Sequence, residues 1–249
     1  MEDFKAQAER FETDVRWGMV TNVDFSSRPF KVEIDSKDNI LAESIIISTG
    51  ATAKWLGIPD EERLNGYGVS ACAVCDGFFY KGQDTIIVGA GDSACEEASY
   101  LANICTKVTM LVRRDEFRAS KIMAERVRNI DNIEILHNTE LDEVLGDGNV
   151  VTGVRVVNNQ TQEKHEIPCT GAFIAIGHTP NTQVFNDWLK MDETGYIVNE
   201  PGTSKTNIDG VFVSGDAADH VYRQAVTAAG TGCMAALDAE RYLAAKGLH

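Results

Sequence analysis

The residues with the most chemistry to offer are Cys72-Ala73-Val74-Cys75-Asp76-Gly77. Two cysteines separated by two residues can close into one small disulfide ring or open into a dithiol. An acid follows at once. When a thiolate attacks a disulfide, a neighbouring carboxyl group can hand a proton to the departing sulfur, and Asp76 stands where it could do so. Zinc would need four ligands. No second CxxC exists, and His137, His165, His178, His220 and His249 show no ligand spacing to this pair, so no metal site is expected. The plain alternative is two buried cysteines beside a turn aspartate, but in a reducing compartment a CxxC is more often redox-active or metal-binding. Cys95, Cys105, Cys169 and Cys233 read as small core hydrophobes.

The second constellation is Gly89-Ala90-Gly91-Asp92-Ser93-Ala94. Alone, a GxGxxA turn also suits an ordinary βαβ connection. Its setting favours a dinucleotide: a buried strand at 84–88 precedes it, a helix at 95–104 follows, and the next strand runs 107–112. Gly89 permits the tight turn, Gly91 lets a pyrophosphate lie against bare backbone, and Ala94 keeps the helix close to the sheet. Free N–H groups at the helix start then meet the phosphate charge. An NAD site usually places an acid at the end of the second strand. Here Arg113-Arg114-Asp115 stands there, with Arg118 a turn later. Guanidinium groups suit a 2′-phosphate, so NADPH is expected over NADH, the alternative being a solvated basic patch.

A hydride does not pass readily to sulfur, and a flavin normally mediates. The run Val211-Phe212-Val213-Ser214-Gly215-Asp216 delivers an acid to the tip of a buried strand, where it could accept from the sugar-alcohol hydroxyls of a flavin. Arg223-Gln224-Ala225 then opens a helix whose positive end could face the ring, and Gly230 and Gly232 would allow close packing. By itself this stretch also reads as a plain strand-turn-helix.

These residues need a scaffold, and the chain is long enough to build one. It has 249 residues, 43% hydrophobic and 24% charged, which suits a globular protein of one large domain or two smaller ones. A formal net charge of −15 repels phosphate backbones and anionic lipid, so neither nucleic acid nor membrane is expected as a partner. With no apolar run of spanning length and a charged N-terminal stretch, a cytoplasmic location is expected. Residues 2–14 are predicted helical, with Phe4, Ala8, Phe11 and Val15 near one face. Strands are predicted at 16–23 and 30–34, parted by a turn at 26–29, and at 44–48, ending in Thr49-Gly50-Ala51. Residues 55–68 read as an irregular connection. Beyond the βαβ unit come a helix at 120–129, a strand at 133–137, and hairpin strands at 144–156 and 166–176. A short helical piece at 182–189, strands at 195–198 and 211–214, and a last helix at 223–245 complete the reading.

Taken together, CAVCDGFFY, GAGDSA, RRDEFR, GHTPN, SGD and YRQA, in that order, resemble bacterial low-molecular-weight thioredoxin reductase across essentially the whole chain. The resemblance implies an α/β flavoprotein of two Rossmann-like, three-layer ββα nucleotide-binding domains. Residues 54–179 would be the NADPH domain carrying the CxxC, inserted in a split FAD domain of residues 1–53 and 180–249. Thr49-Gly50-Ala51 and Gly177-His178 would mark the crossings, which act as a hinge in the family. Cys75 would face the flavin, Cys72 would attack the disulfide of thioredoxin, and Asp76 would donate the proton. Gly89, Gly91, Asp92, Ser93 and Ala94 would seat the NADPH pyrophosphate, and Arg113, Arg114 and Arg118 the 2′-phosphate. Thr49, Gly50, Asp216, Arg223, Gln224 and Ala225 would hold FAD. A homodimer through the FAD domain is implied as well.

One departure accompanies the resemblance. Family members open with a further strand, GxGxxG turn and helix for the adenosine half of FAD, whereas the only such turn here is the central one. The FAD domain is therefore expected to lack its first βαβ unit. Two alternatives stay open: a flavin-deficient, catalytically incomplete NADPH-binding module, and a related flavin disulfide reductase with another acceptor.

Overall fold

A computed structural model describes residues 2–248. Met1 and His249, which end the expected FAD domain, lie outside the described residues, and so does the reading of His249 as no ligand. In chain order the elements begin with α1 (Glu2–Glu9), β1 (Val20–Asp24), β2 (Phe30–Ile34), β3 (Asp38–Ala42), β4 (Ile45–Ile47), β5 (Ala51–Ala53) and β6 (Val69–Ser70). Then come α2 (Ala73–Asp76), β7 (Asp84–Val88), α3 (Asp92–Ala102), β8 (Lys107–Val112), α4 (Lys121–Arg128) and β9 (Ile133–His137). The chain continues through β10 (Thr139–Gly146), β11 (Val151–Asn158), β12 (Lys164–Pro168), β13 (Gly171–Ile174), β14 (His178–Pro180), β15 (Val211–Val213) and α5 (Ala225–Ala245). Two units result, one of residues 2–52 and 179–248, the other Ala53–His178. Among the described residues no helix is long and apolar enough to cross a membrane.

In the unit Ala53–His178 a five-stranded sheet of order β6-β13-β7-β8-β9 forms the middle layer, with each neighbouring pair parallel. Side chains alternate across it as the strand period requires. Ile86, Val88, Ala172 and Ile174 face the antiparallel meander β10-β11-β12, where they meet Leu141, Val144, Val154 and Val156. Ile87, Phe173, Val108 and Met110 face the other way, against Ala98 and Leu101 of α3 and Val127 of α4. A strand buried on both faces reads as a continuous apolar run, which is why 84–88 and 107–112 stand out in the sequence.

The other unit repeats this layering. Here β4 pairs in parallel with β15, and β1-β2-β3 is an antiparallel meander. Val211 and Val213 turn to Val23, Phe25, Phe30 and Phe185, while Phe212 turns to Ala235, Ala239 and Tyr242 of α5. The fold is therefore α/β with the expected three-layer plan in each unit.

Several expected bounds move. The N-terminal helix stops at Glu9 rather than 14: Glu12 takes a positive φ of 64°, and Phe4 and Phe11, read as its apolar face, are 71% and 72% exposed. A short helix that buries no residue has little to extend it. The strand expected at 16–23 begins at Val20, after Gly18 at φ 155°. Strand β3, which pairs with β2, has no counterpart in the reading; it opens on Asp38-Asn39, residue types depleted in strands. The turn before it, Asp35-Ser36, has both residues at positive φ, as a tight hairpin requires. The helix at 95–104 starts three residues sooner, since Gly91 is its N-cap. The hairpin strand expected at 166–176 is two strands, β12 in the meander and β13 in the parallel sheet. At 195–198 only an isolated bridge forms, Met191 with Ile197. The last helix begins at Ala225, with Arg223 outside it at φ 48°.

Candidate functional site

The dithiol motif leaves the sheet at β6 and enters the single turn α2. Cys72 and Cys75 are joined as a disulfide with Cα atoms 5.3 Å apart. Cys72 caps α2, and the N–H of Cys75 donates to its Sγ at 3.2 Å. Asp76 is held by Ser70, whose hydroxyl donates to Asp76 Oδ2 at 2.6 Å while its oxygen accepts the N–H of Cys72 at 3.0 Å. Ser70 is buried, so the proposed acid and the backbone of the first cysteine share one fixed hydroxyl. Burial, and then the charge of Asp76, raise the pKa of Tyr80.

This motif packs directly on α3. The N–H of Ala73 donates to Glu97 Oε2 at 3.0 Å, and Ala73 is fully buried. Gly77 is required by contact: a Cβ there would lie 2.9 Å from Leu101 Cδ2 and 3.0 Å from Tyr100 Cε1. The sulfur pair thus rides on the helix that the glycine turn opens.

That turn sits between β7 and α3, at the position where the strand order reverses between β13 and β8. Gly89 has φ 148°, and a Cβ on it would stand 2.4 Å from the carbonyl oxygen of Ala175 and 2.8 Å from Ala94 Cβ. Gly91 is the opposite case, with nothing within 4 Å of an added Cβ. The first intrahelical bond runs from Cys95 to Gly91, which leaves the N–H groups of Asp92, Ser93 and Ala94 free of intrahelical partners. An open, glycine-floored cradle with free N–H groups is what a pyrophosphate needs. Arg113, Arg114 and Arg118 are all exposed, and none of them forms an ion pair among the described residues. Three unpaired cations beside such a cradle suit an added phosphate.

In the other unit, Asp216 lies in a 3₁₀ turn, Gly215–Ala217, at the end of β15. Its Oδ1 is buried with no hydrogen-bond partner among the described residues. Burial first, and then the charge of Asp219, push its pKa up, against a smaller downward pull from Arg223. Asp219 itself shifts the other way. Burial resists its ionisation, but the N–H groups of Tyr222, Arg223 and Val221 and the Thr227 hydroxyl draw its pKa down. That one carboxylate folds residues 219–223 into the turn that presents Arg223 and Gln224. Gln224 then caps α5 in a reciprocal pair with Thr227, and Ala225 is the first helical residue. At the end of β4, Ser48 and Ser214 hydroxyls meet at 2.6 Å, Thr49 O accepts from Asn181 Nδ2 at 3.0 Å, and Gly50 turns at φ 70°. A cavity of about 120 Å³ beside these residues is lined by Ser204, Ser214, Gly215, Asp219 and Thr231. A larger one of about 510 Å³, at Lys205, Arg241 and Tyr242, touches none of them.

Ser70, Glu97, Ser120 and Asp219 were not singled out in the sequence, and only Asp219 carried a signal, an acid three residues past Asp216. Comparison with known proteins adds to this geometry. A family model described as pyridine nucleotide-disulphide oxidoreductase matches residues 2–232. A thioredoxin reductase of Rickettsia bellii (strain RML369-C) is 51% identical over 245 residues, 98% of this chain and 79% of that protein. One from Vibrio cholerae serotype O1 is 50% identical over 254 residues, covering 99% and 79%. Among solved structures, the thioredoxin reductase from Giardia duodenalis superposes with a TM-score of 0.92 at 45% identity, over 98% of this chain and 80% of that one. The thioredoxin reductase from Streptococcus pyogenes MGAS5005 gives 0.93 at 34% identity, over 98% and 79%.

Proposed function

The chain belongs to the pyridine nucleotide-disulphide oxidoreductase family, and from that premise we propose that it is a thioredoxin reductase. Electrons would pass from NADPH by way of FAD to the Cys72–Cys75 pair, and from there to the disulfide of a thioredoxin. The observation that carries this reading is the disulfide seated on α3, the same helix that the Gly89–Ala94 turn opens. In this reading Ala53–His178 binds NADPH and the unit of residues 2–52 and 179–248 binds the flavin.

The residues present fit both groups. Gly89, Gly91, Asp92, Ser93 and Ala94 would cradle the NADPH pyrophosphate with backbone N–H groups, and Arg113, Arg114 and Arg118 would hold its 2′-phosphate. The buried Asp216 Oδ1 supports a flavin: it is an acceptor without a donor among the described residues. Asp216, Arg223, Gln224, Ala225, Thr49 and Gly50 would hold that cofactor. Bound FAD supplies a two-electron relay between a hydride donor and a disulfide.

The chain's own residues account for the exchange that follows. In the reduced pair, the N–H of Cys75 favours negative charge on Cys72 Sγ, which supports Cys72 as the attacking thiolate. Its attack on the thioredoxin disulfide forms a mixed disulfide and releases one thioredoxin sulfur. Cys75 then attacks Cys72 Sγ, restoring the Cys72–Cys75 bond and releasing the second sulfur. The two electrons of the dithiol end as two thioredoxin thiols. Asp76, fixed by Ser70, would donate a proton to a departing sulfur.

A module that binds NADPH without flavin is not favoured, because it leaves the Asp216 oxygen unexplained. A cytoplasmic location and a homodimer complete the proposal, the latter supported by the exposed apolar residues Val226, Met234 and Leu237 on α5. The test is an anaerobic assay of the purified chain supplied with FAD, NADPH and oxidised thioredoxin. NADPH-dependent appearance of thioredoxin thiols is expected. Flavin uptake and NADPH binding with no thiols formed would point to another acceptor.

A further inference from the structure

Asp92 is the one acid in the glycine turn, and a carboxylate at the opening of a phosphate-binding helix repels the group the turn is built for. The structure gives it other work. Asp92 Oδ1 accepts two hydrogen bonds from Ser120, from its N–H at 2.8 Å and its hydroxyl at 2.9 Å. The same loop is fastened at a second point, where the N–H groups of Arg118 and Ala119 both donate to the carbonyl oxygen of Ala90, at 2.8 and 2.9 Å. Residues 118–120 are thus tied to residues 90–92 across a sequence separation of 28. Arg118 rides on this loop. Arg113 and Arg114 have different supports: Asn159 Nδ2 donates to the Arg113 carbonyl at 2.7 Å, and the N–H of Asn138 donates to the Arg114 carbonyl at 3.2 Å.

We propose that the Asp92 side chain is a positioning group for cofactor selectivity: it holds the Arg118 loop against the phosphate turn, and so sets the preference for a 2′-phosphate without the carboxylate itself touching phosphate. The proposal rests on the NADPH reading above. A single acceptor oxygen does the holding, and asparagine offers the same oxygen, so the charge of Asp92 is dispensable to it. The selectivity resides in binding, and no turnover is needed to see it.

The experiment is calorimetric titration of the whole chain with 2′,5′-ADP and with ADP, each giving a dissociation constant. The unaltered chain is expected to prefer 2′,5′-ADP. If it does not, the NADPH reading fails and this inference falls with it. Given that preference, Asp92→Ala should weaken 2′,5′-ADP binding about five- to tenfold while leaving ADP unchanged or slightly tighter, as the two hydrogen bonds to one acceptor oxygen are lost. Asp92→Asn should keep the ratio of the unaltered chain. Ser120→Pro removes both donors at a residue whose φ is already −55°, and covers the case in which Asp92→Ala does not fold. It should reproduce the loss, and combining it with Asp92→Ala should add nothing. An unchanged ratio in both Asp92→Ala and Ser120→Pro, or an equal loss for the two nucleotides, overturns the proposal. So does a loss in Asp92→Asn as large as in Asp92→Ala, which would make the charge the acting feature.

Discussion

The two units share one layered plan, an α-helix on parallel strands on a three-stranded antiparallel meander, yet they complete it to different degrees. In Ala53–His178 the parallel layer has five strands, and the 11-residue α3 buries Ala94, Cys95, Ala98 and Leu101. In the other unit the described parallel layer has two strands, and the 21-residue α5 buries only Ala235 and Ala239. Ile46 on β4 is 40% exposed and Val226 on α5 79% exposed. The sites differ in the same sense. The Gly89–Ala94 turn offers N–H groups without intrahelical partners and has exposed, unpaired arginines beside it, an arrangement suited to an anion. The Asp216 site holds a buried acceptor with no hydrogen-bond partner among the described residues. Nucleotide binding is therefore expected to be robust in this chain, and flavin binding to be the property most sensitive to change.

Four experiments test that contrast, beginning with the largest effect. Replacing either sulfur, Cys72→Ser or Cys75→Ser, should lower thioredoxin reduction by about 10³-fold or more while leaving 2′,5′-ADP affinity unchanged, because α2 stays anchored through Ala73 and Glu97. A fall in nucleotide affinity would show that the cradle depends on the disulfide.

Removing two cations together, Arg113→Ala with Arg114→Ala, should weaken NADPH binding about 100-fold and hardly alter NADH, since each charge-assisted contact to the added phosphate contributes roughly 1.5–3 kcal/mol. Equal losses for both nucleotides would place these arginines on the pyrophosphate instead.

A smaller loss, about tenfold in flavin affinity, is expected for Asp216→Ala, read from the retained flavin absorbance, with 2′,5′-ADP binding intact. The pH dependence of the flavin-free chain sharpens this. Burial, and then Asp219, raise the Asp216 pKa above its ordinary 3.8. Its stabilising contribution is therefore fully present below that value and is lost as pH rises through the raised one. Asp216→Asn should raise the melting temperature of the flavin-free chain at pH 7 and not at pH 3.5. An equal rise at both would assign the effect to packing.

The smallest effect is in thiol labelling. Burial pushes Cys95 up to about 11 and Cys169 up to about 12, so at pH 8 only about one in a thousand of even the former is thiolate. Cys233, expected in the core, is instead exposed on α5 and should label first in the oxidised chain, with Cys72 and Cys75 joining it only after reduction. Early labelling of Cys95 would mean that the nucleotide unit opens more readily than its core suggests.

How much of this was legible depends on how local each signal is. The strands at 84–88, 107–112 and 133–137 stand at their expected bounds because each is a β-branched or apolar run closed by turn residues. The start of α3 was displaced because Asp92-Ser93 resembles a turn, although polar residues are common in the first turn of a helix once Gly91 has capped it. Phe4 and Phe11 have helical spacing but no surface to bury against, so their periodicity misled. Ser70 and Ser120 act through contacts that no spacing rule encodes, whereas Asp219 bonds N–H groups two to four residues on, as a turn aspartate does. Ser70 bridges to Asp76 across the CxxC, Ser120 reaches back to Asp92, and Asp219 gathers three successive N–H groups. The motifs single out the atoms with chemistry to offer, and only the fold shows what holds them.

The most direct test follows the sulfurs themselves. The chain, loaded with FAD under anaerobic conditions, is mixed with NADPH, alkylated, and the segment carrying residues 72–75 is weighed by mass spectrometry. Two alkyl groups on Cys72 and Cys75, both absent when oxidised thioredoxin is added before alkylation, are the predicted result. Oxidation of NADPH with the pair still closed as a disulfide would contradict the account.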